Sequence, residues 1–215
     1  MGPSLRDKAR RLWTSLPETW AASPALARFL TDWPAAPRLV PRAVGRARAS
    51  SAPTMEQPLP VLRWLPEIAT AADRFGADFV EALCAGAGSL GWRQTYAVAD
   101  VGEEFLRNYA WAEVLSAGAA DRAAQISCGV LVLGPNTFYP AHHHEAEELY
   151  LPLVGTAEWL KGDGAWRRRS PGTLIHHSSE ETHAMRTGEQ SLLAMYLWRS
   201  TNPAQRARLV RRGAE

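Results

Sequence analysis

The sequence predicts a mainly β protein that carries an N-terminal helical extension. From residue 92 to 198 the chain falls into short apolar runs separated by Gly, Pro and Asn, the punctuation of a sandwich or small barrel. Before residue 90 the apolar residues recur at helical spacing instead. A third observation places a site within the β part: all six histidines fall between 142 and 183.

Residues 4–16 read as an amphipathic helix with Leu5, Leu12, Trp13 and Leu16 on one side, ended by Pro17. A second helix fits 24–33 through Leu26, Phe29, Leu30 and Trp33. Pro34, Pro37 and Pro41 then break regularity. Residues 36–60, with Arg38, Arg42, Arg46 and Arg48 among Pro, Ala and Ser, read as a linker rather than a lid or an anion-binding arm. The strongest helical pattern spans 61–85 and stops at Gly86, Gly88 and Gly91. Strands are expected at 92–99, 113–115, 125–133, 148–154, 156–161, 172–176 and 191–198. A short basic helix is expected at 202–212, with a solvated Arg face. The organisation is therefore a helical extension over 1–90, a barrel over 91–200 and a basic tail over 201–215.

Composition excludes several classes. A net charge of +2 and 21% charged residues give no electrostatic case for a nucleic-acid partner. No apolar run approaches the ~20 residues of a membrane span. The first residues lack the apolar core of a signal peptide. Cys84 and Cys128 are isolated, without disulfide or zinc-finger spacing, which fits a reducing, cytoplasmic setting. Most of the nine tryptophans are expected to be packing residues.

Residues 139–150 run Tyr-Pro-Ala-His-His-His-Glu-Ala-Glu-Glu-Leu-Tyr. In extended chain, alternate side chains share a face. His142 and His144 then point one way and His143 the other, while Glu148 and Tyr150 share a face on the next segment. A turn at 145–147 folds one pair against the other, so two imidazoles, a carboxylate and a phenol converge. Imidazole with carboxylate suits a borderline divalent ion such as Zn, Fe, Mn, Ni or Co. The competing readings are a solvated histidine loop and a tag-like artefact; the confinement of every histidine to 142–183 argues against the first, and the internal position of the motif against the second. A fourth ligand comes from His183, which opens an apolar strand-like step after a polar turn. His176 and His177 remain alternatives, and adjacency allows at most one of them to face a site. Glu145, Glu147, Glu180 and Glu181 read as exposed charges.

His142, His144, Glu148 and Gly155, followed by Pro171, Gly172 and His183, resemble the two motifs of the cupin superfamily. The resemblance covers about 92–200 and implies a double-stranded β-helix, or jelly roll, with a metal inside. Asn136 stands where the first motif usually opens with Gly, the second motif lacks its trailing Asn, and His183 lies further from its turn than is common. A longer pattern is similar to the cupin-type dimethylsulfoniopropionate (DMSP) lyases: Tyr139, Pro140, His142, His144, Ala146, Glu148, Tyr150, Leu153, Gly155 and Trp159, then His183, Ala184 and Met185. The run from Trp92 to Tyr96 is also similar. The likeness implies a metal-dependent β-elimination that releases dimethyl sulfide and acrylate from a small zwitterionic sulfonium. Tyr150 makes sense as the base, because a cation beside a phenol favours the phenolate. Aromatic faces hold a sulfonium by cation–π attraction. The candidates are Tyr139, Trp159, Trp198, Tyr96 and Tyr109, of which the likeness implies roles for Tyr139 and Trp198. A homodimer is common among such relatives. The alternatives are another cupin enzyme, a dioxygenase or isomerase, and a non-catalytic small-ligand module.

Overall fold

Ten strands among the described residues make two five-stranded sheets. The structure, a computed structural model, describes residues 2–16, 23–31, 58–116, 125–202 and 205–210. The strands are β1 (Tyr109–Ser116), β2 (Gln125–Leu133), β3 (Phe138–His143), β4 (Glu147–Val154), β5 (Ala157–Lys161), β6 (Arg167–Arg169), β7 (Ile175–His177), β8 (His183–Thr187), β9 (Leu192–Ser200) and β10 (Arg208–Leu209). One sheet has the order β1-β2-β9-β4-β7 and the other β10-β3-β8-β5-β6. Every pairing is antiparallel. Tyr150, Ala194 and Tyr196 of the first sheet pack in one cluster with Tyr139, Trp159 and Met185 of the second. The sheets therefore enclose a common interior, the jelly-roll barrel of the cupins.

The first sheet is buried on both faces. Leu149, Leu151 and Leu153 of β4 join Leu193, Met195 and Leu197 of β9 in a second cluster, under the helices. The helices are α1 (Leu5–Thr14), α2 (Pro24–Thr31), α3 (Leu65–Ala71), α4 (Ala77–Gly86) and α5 (Val98–Arg107). In α1 a capping box starts the helix: the Ser4 hydroxyl accepts from the Asp7 N–H, and the Asp7 carboxylate accepts from the Ser4 N–H at 3.0 Å. Its Ala9 and Trp13, followed by Leu16, bury the stripe that covers the sheet. In α4 the same work falls to Phe79, Val80 and Leu83.

Three expected elements take another form, the strand expected over 172–176 is found at Ile175–His177, and β6 is not among those expected. The helix expected over 61–85 is divided into a 3-10 turn (Pro60–Trp64), α3 and α4. Pro66 opens α3, and Gly76, with φ +82°, reverses the chain before α4. The strand expected over 92–99 is a single bridge from Arg93 to Trp111; the chain then enters α5, where the Asp100 carboxylate accepts from the Ala97 N–H at 2.9 Å. The basic helix expected over 202–212 is replaced, where described, by β10 on the edge of β3. Residues 32–57, which hold most of the expected linker, lie outside the described residues.

Gly155 turns the chain between β4 and β5 with φ +79°, and a Cβ there would sit 2.0 Å from the Ser191 carbonyl oxygen. Only glycine fits both demands. Among the described residues no helix is long and apolar enough to cross a membrane.

Candidate metal centre and active site

Proline begins the construction. Pro140 cannot donate to the sheet ladder, and the β3–β8 register shifts between Tyr139 and His142. After this irregularity His142 stands directly opposite His183 across the two strands. Ring nitrogens of His142, His144 and His183 all lie within 4.8 Å of one another, and all three residues are buried. On the facing sheet Glu148 is fully buried, with its Oε2 3.0 Å from His144 Nε2 and 3.3 Å from His183 Nε2.

Each of the three imidazoles is oriented through its other nitrogen. Nδ1 of His142 donates to the Pro140 carbonyl at 2.8 Å, that of His144 to Ala146 at 2.9 Å and that of His183 to Glu181 at 2.8 Å. A carbonyl oxygen only accepts, so Nδ1 carries the proton and a neutral ring presents the Nε2 lone pair to the centre. This is the arrangement expected of metal-ligating histidines. The 3.0 Å contact from His144 Nε2 to a carboxylate oxygen would then set lone pair against lone pair. Either a positive imidazole or a cation between the two resolves it. Three such lone pairs and one carboxylate fit a divalent transition-metal ion.

The buried charges agree. Burial alone would raise the Glu148 carboxyl, yet His144 and His183 beside it hold it well below the usual carboxylate range. Burial works against a charged His144 as well, and the Glu148 carboxylate outweighs it and pushes the imidazole up. Burial, with His183 alongside, holds His142 far below its ordinary value. The second oxygen of Glu148, Oε1, accepts from the Trp198 indole N–H at 2.5 Å. Trp198 pairs with Glu148 across β9 and β4, and its ring packs 4.4 Å from that of His144.

Tyr150 lies two residues along the inner face of β4 from Glu148 and is 5% exposed. Burial and the Glu148 charge push its phenol far above 10. Trp159 and His177 each stand with ring centroids 6.1 Å from it. Beyond His142 lies an aromatic group of Tyr96, Phe105, Tyr109 and Tyr139. Tyr139 stacks on His142 at 4.2 Å and 11°. The Tyr96 and Tyr139 hydroxyls are 3.1 Å apart, and burial raises the Tyr109 phenol to about 12. A cleft of about 1200 Å³ opens beside Tyr96, with Asp100, His143, Glu180 and Arg208 on its walls.

Residues 39–194 match the model of the dimethylsulfoniopropionate lyase family. The chain belongs to the DMSP lyase family. It is 32% identical over 181 residues, 83% of each sequence, to the dimethylsulfoniopropionate lyase DddQ of Ruegeria pomeroyi. Among solved structures it is similar to one titled "Crystal structures of DMSP lyases RdDddP and RnDddQII", with a TM-score of 0.72, 26% identity and 96% of each chain covered. The crystal structure of DddQ from Ruegeria pomeroyi DSS-3 superposes with a TM-score of 0.66 at 24% identity, covering 97% of this chain and 98% of that one.

Within this DMSP lyase family member, the expected residues fall into three groups. His142, His144, His183 and Glu148 share one centre. Tyr150, Trp159 and Trp198 adjoin it along the barrel interior. Tyr96, Tyr109 and Tyr139 stand together beyond His142. Of the alternative ligands, His176 points outward to Glu147 at 2.9 Å. His177 points inward, yet its nitrogens are not among those that meet at the centre. His143 points away, to Glu180 at 2.5 Å. Three features were not read from sequence: the place of Phe105 in the aromatic group, the inward turn of His177 and the Trp198–Glu148 hydrogen bond. Gly102, with φ +80°, breaks the helical spacing that would have signalled the first; the others depend on register between distant strands.

Proposed function

We propose that this chain is a metal-dependent lyase that splits DMSP into dimethyl sulfide and acrylate by β-elimination. The observation that carries the reading is the placement of Tyr150: a buried phenol on the same strand face as Glu148, in a chain of the DMSP lyase family. One divalent transition-metal ion would be held by His142, His144, His183 and Glu148. When bound, such an ion draws on the reactant carboxylate and stabilises negative charge that develops beside it.

The chain's own residues do the rest. The Tyr150 phenol, pushed up by burial and Glu148, stays protonated unless positive charge adjoins it. As phenolate it removes the proton from the carbon next to the carboxylate. That electron pair becomes the carbon–carbon double bond, the carbon–sulfur bond breaks, and dimethyl sulfide leaves as a neutral molecule. The proton remains on the Tyr150 oxygen and acrylate is released. No general acid is required for this leaving group.

The sulfonium needs a cation site without a counter-ion. The faces of Tyr139, Tyr96 and Tyr109 supply one, with Trp198 and Trp159 on the barrel side. Each cation–π contact contributes roughly 0.5–2 kcal/mol. Burial keeps these phenols neutral, which suits a site that attracts a cation without neutralising it. The cytoplasmic placement and the homodimer belong to the same reading.

The test is headspace detection of dimethyl sulfide from DMSP and metal-loaded protein, with acrylate measured in parallel. Equal yields of both, lost on chelation and unaffected by removing oxygen, are the expected result. Absence of both products with zinc, iron, manganese, nickel and cobalt in turn would refute the lyase reading.

A further inference from the structure

Of the imidazoles that face the barrel interior, His177 is left without a task by the chemistry above. It pairs with Glu148 across β7 and β4, so both side chains stand on the inner face. Its ring lies nearly parallel to that of His183, 4.1 Å away at 16°, and presents edge to face with Tyr150 at 6.1 Å and 78°. The residue is 0% exposed, and neither Nδ1 nor Nε2 has a hydrogen-bond partner among the described residues. A neutral imidazole always carries one N–H, so a buried donor without a protein partner is present in either tautomer. Folded proteins retain few such groups, because an apolar side chain of similar shape would fill the space without the desolvation penalty.

We propose that His177 is a reactant-binding residue, whose ring N–H donates to the carboxylate of the substrate. The inference rests on the lyase reading. It deepens that reading by assigning the anionic end of the zwitterion a protein partner, in addition to the metal. Of the two ends of DMSP only the carboxylate offers strong hydrogen-bond acceptors, and a neutral N–H has nothing to offer a sulfonium. The carboxylate persists in acrylate, so the contact serves substrate, transition state and product alike. Such uniform binding acts on KM and on product affinity more than on kcat.

The experiment uses the metal-loaded full chain. His177→Phe keeps a planar ring against His183 and removes both nitrogens; His177→Asn restores a donor. The phenylalanine variant is expected to bind acrylate about tenfold more weakly by calorimetry and to raise KM for DMSP by a similar factor. Its kcat and bound metal should stay near wild type, and the asparagine variant should recover most of the loss. Unchanged acrylate affinity and KM in His177→Phe would overturn the proposal, leaving a trapped water as the partner of the ring. Loss of bound metal in step with acrylate affinity would also overturn it, since His177 would then only brace His183. If His177→Phe fails to fold, His177→Leu is judged by the same readings. A wild-type protein that forms no dimethyl sulfide refutes the lyase reading itself. A wild type that turns over beside a His177→Phe variant with normal KM refutes only the role of His177.

Discussion

The two faces of β4 differ in everything except burial. Leu149, Leu151 and Leu153 face the helices in an apolar cluster with Val80, Leu83 and Trp13. Glu148 and Tyr150, on the other face, look into a barrel of imidazoles and aromatic rings. Both faces exclude water, so burial does not separate them. The difference is in what the excluded water leaves behind. On the helical face burial of apolar area stabilises the fold. On the barrel face it shifts titratable groups far from their ordinary values: Tyr150 upward, His142 downward. One strand thus divides the molecule into a layer that sets stability and a chamber that sets reactivity.

That division is tested hardest by neighbouring residues. Tyr150→Phe should lower kcat by about 10²–10⁴-fold, the range for loss of a positioned base, while bound metal stays at the wild-type level. A variant with full turnover would remove Tyr150 from the chemistry. Leu151→Ala, one residue along, should do the reverse. Its side chain is 0% exposed, so truncation should cost about 2–5 kcal/mol in denaturant unfolding with kcat near wild type. A rate loss there as large as that in Tyr150→Phe would erase the distinction between the faces.

A smaller effect is expected where the chamber is braced. Trp198→Phe keeps the ring beside His144 and removes the N–H that Glu148 Oε1 accepts. Support of this kind typically governs metal affinity by about 10–100-fold, measurable by competition with a coloured chelator. An unchanged affinity would make Trp198 a reactant contact alone. The smallest effect belongs to the surface. Arg208 makes two 2.8 Å contacts with Glu180, but both groups are exposed, and Arg208→Ala should change stability by less than about 1 kcal/mol. A larger loss on thermal melting would show that the rim contributes to the fold.

Much of this was legible in the chain because period two is a strong constraint. The alternation of His142, His144, Glu148 and Tyr150 needed only an extended backbone and a turn. β2, at Gln125–Leu133, matches the strand expected from its apolar run and the Gly134-Pro135-Asn136 turn that follows it. The failures share a cause: they turn on contacts remote in sequence. Residues 61–85 are the exception: Pro66 and Gly76 mark the breaks locally, but the apolar periodicity runs on across both. The choice between an inward His176 and an inward His177 depends on β7 pairing with β4, about 28 residues away. The partner of the Trp198 indole depends on β9 pairing with β4, 50 residues earlier in the chain. The basic composition near residue 208 suggested a helix, yet pairing with β3 won there, because that strand had an open edge.

That last pairing has a practical side. β3 carries His142, and among the described residues its outer backbone is covered by Arg208, Leu209 and the Val210 N–H, which donates to the Ala141 carbonyl at 2.8 Å. Peeling back those few residues would offer a ready template for strand addition by another molecule, beside the buried histidine cluster. Deletions that reach into this segment should therefore be judged first by light scattering, since turbidity would precede any defect in turnover.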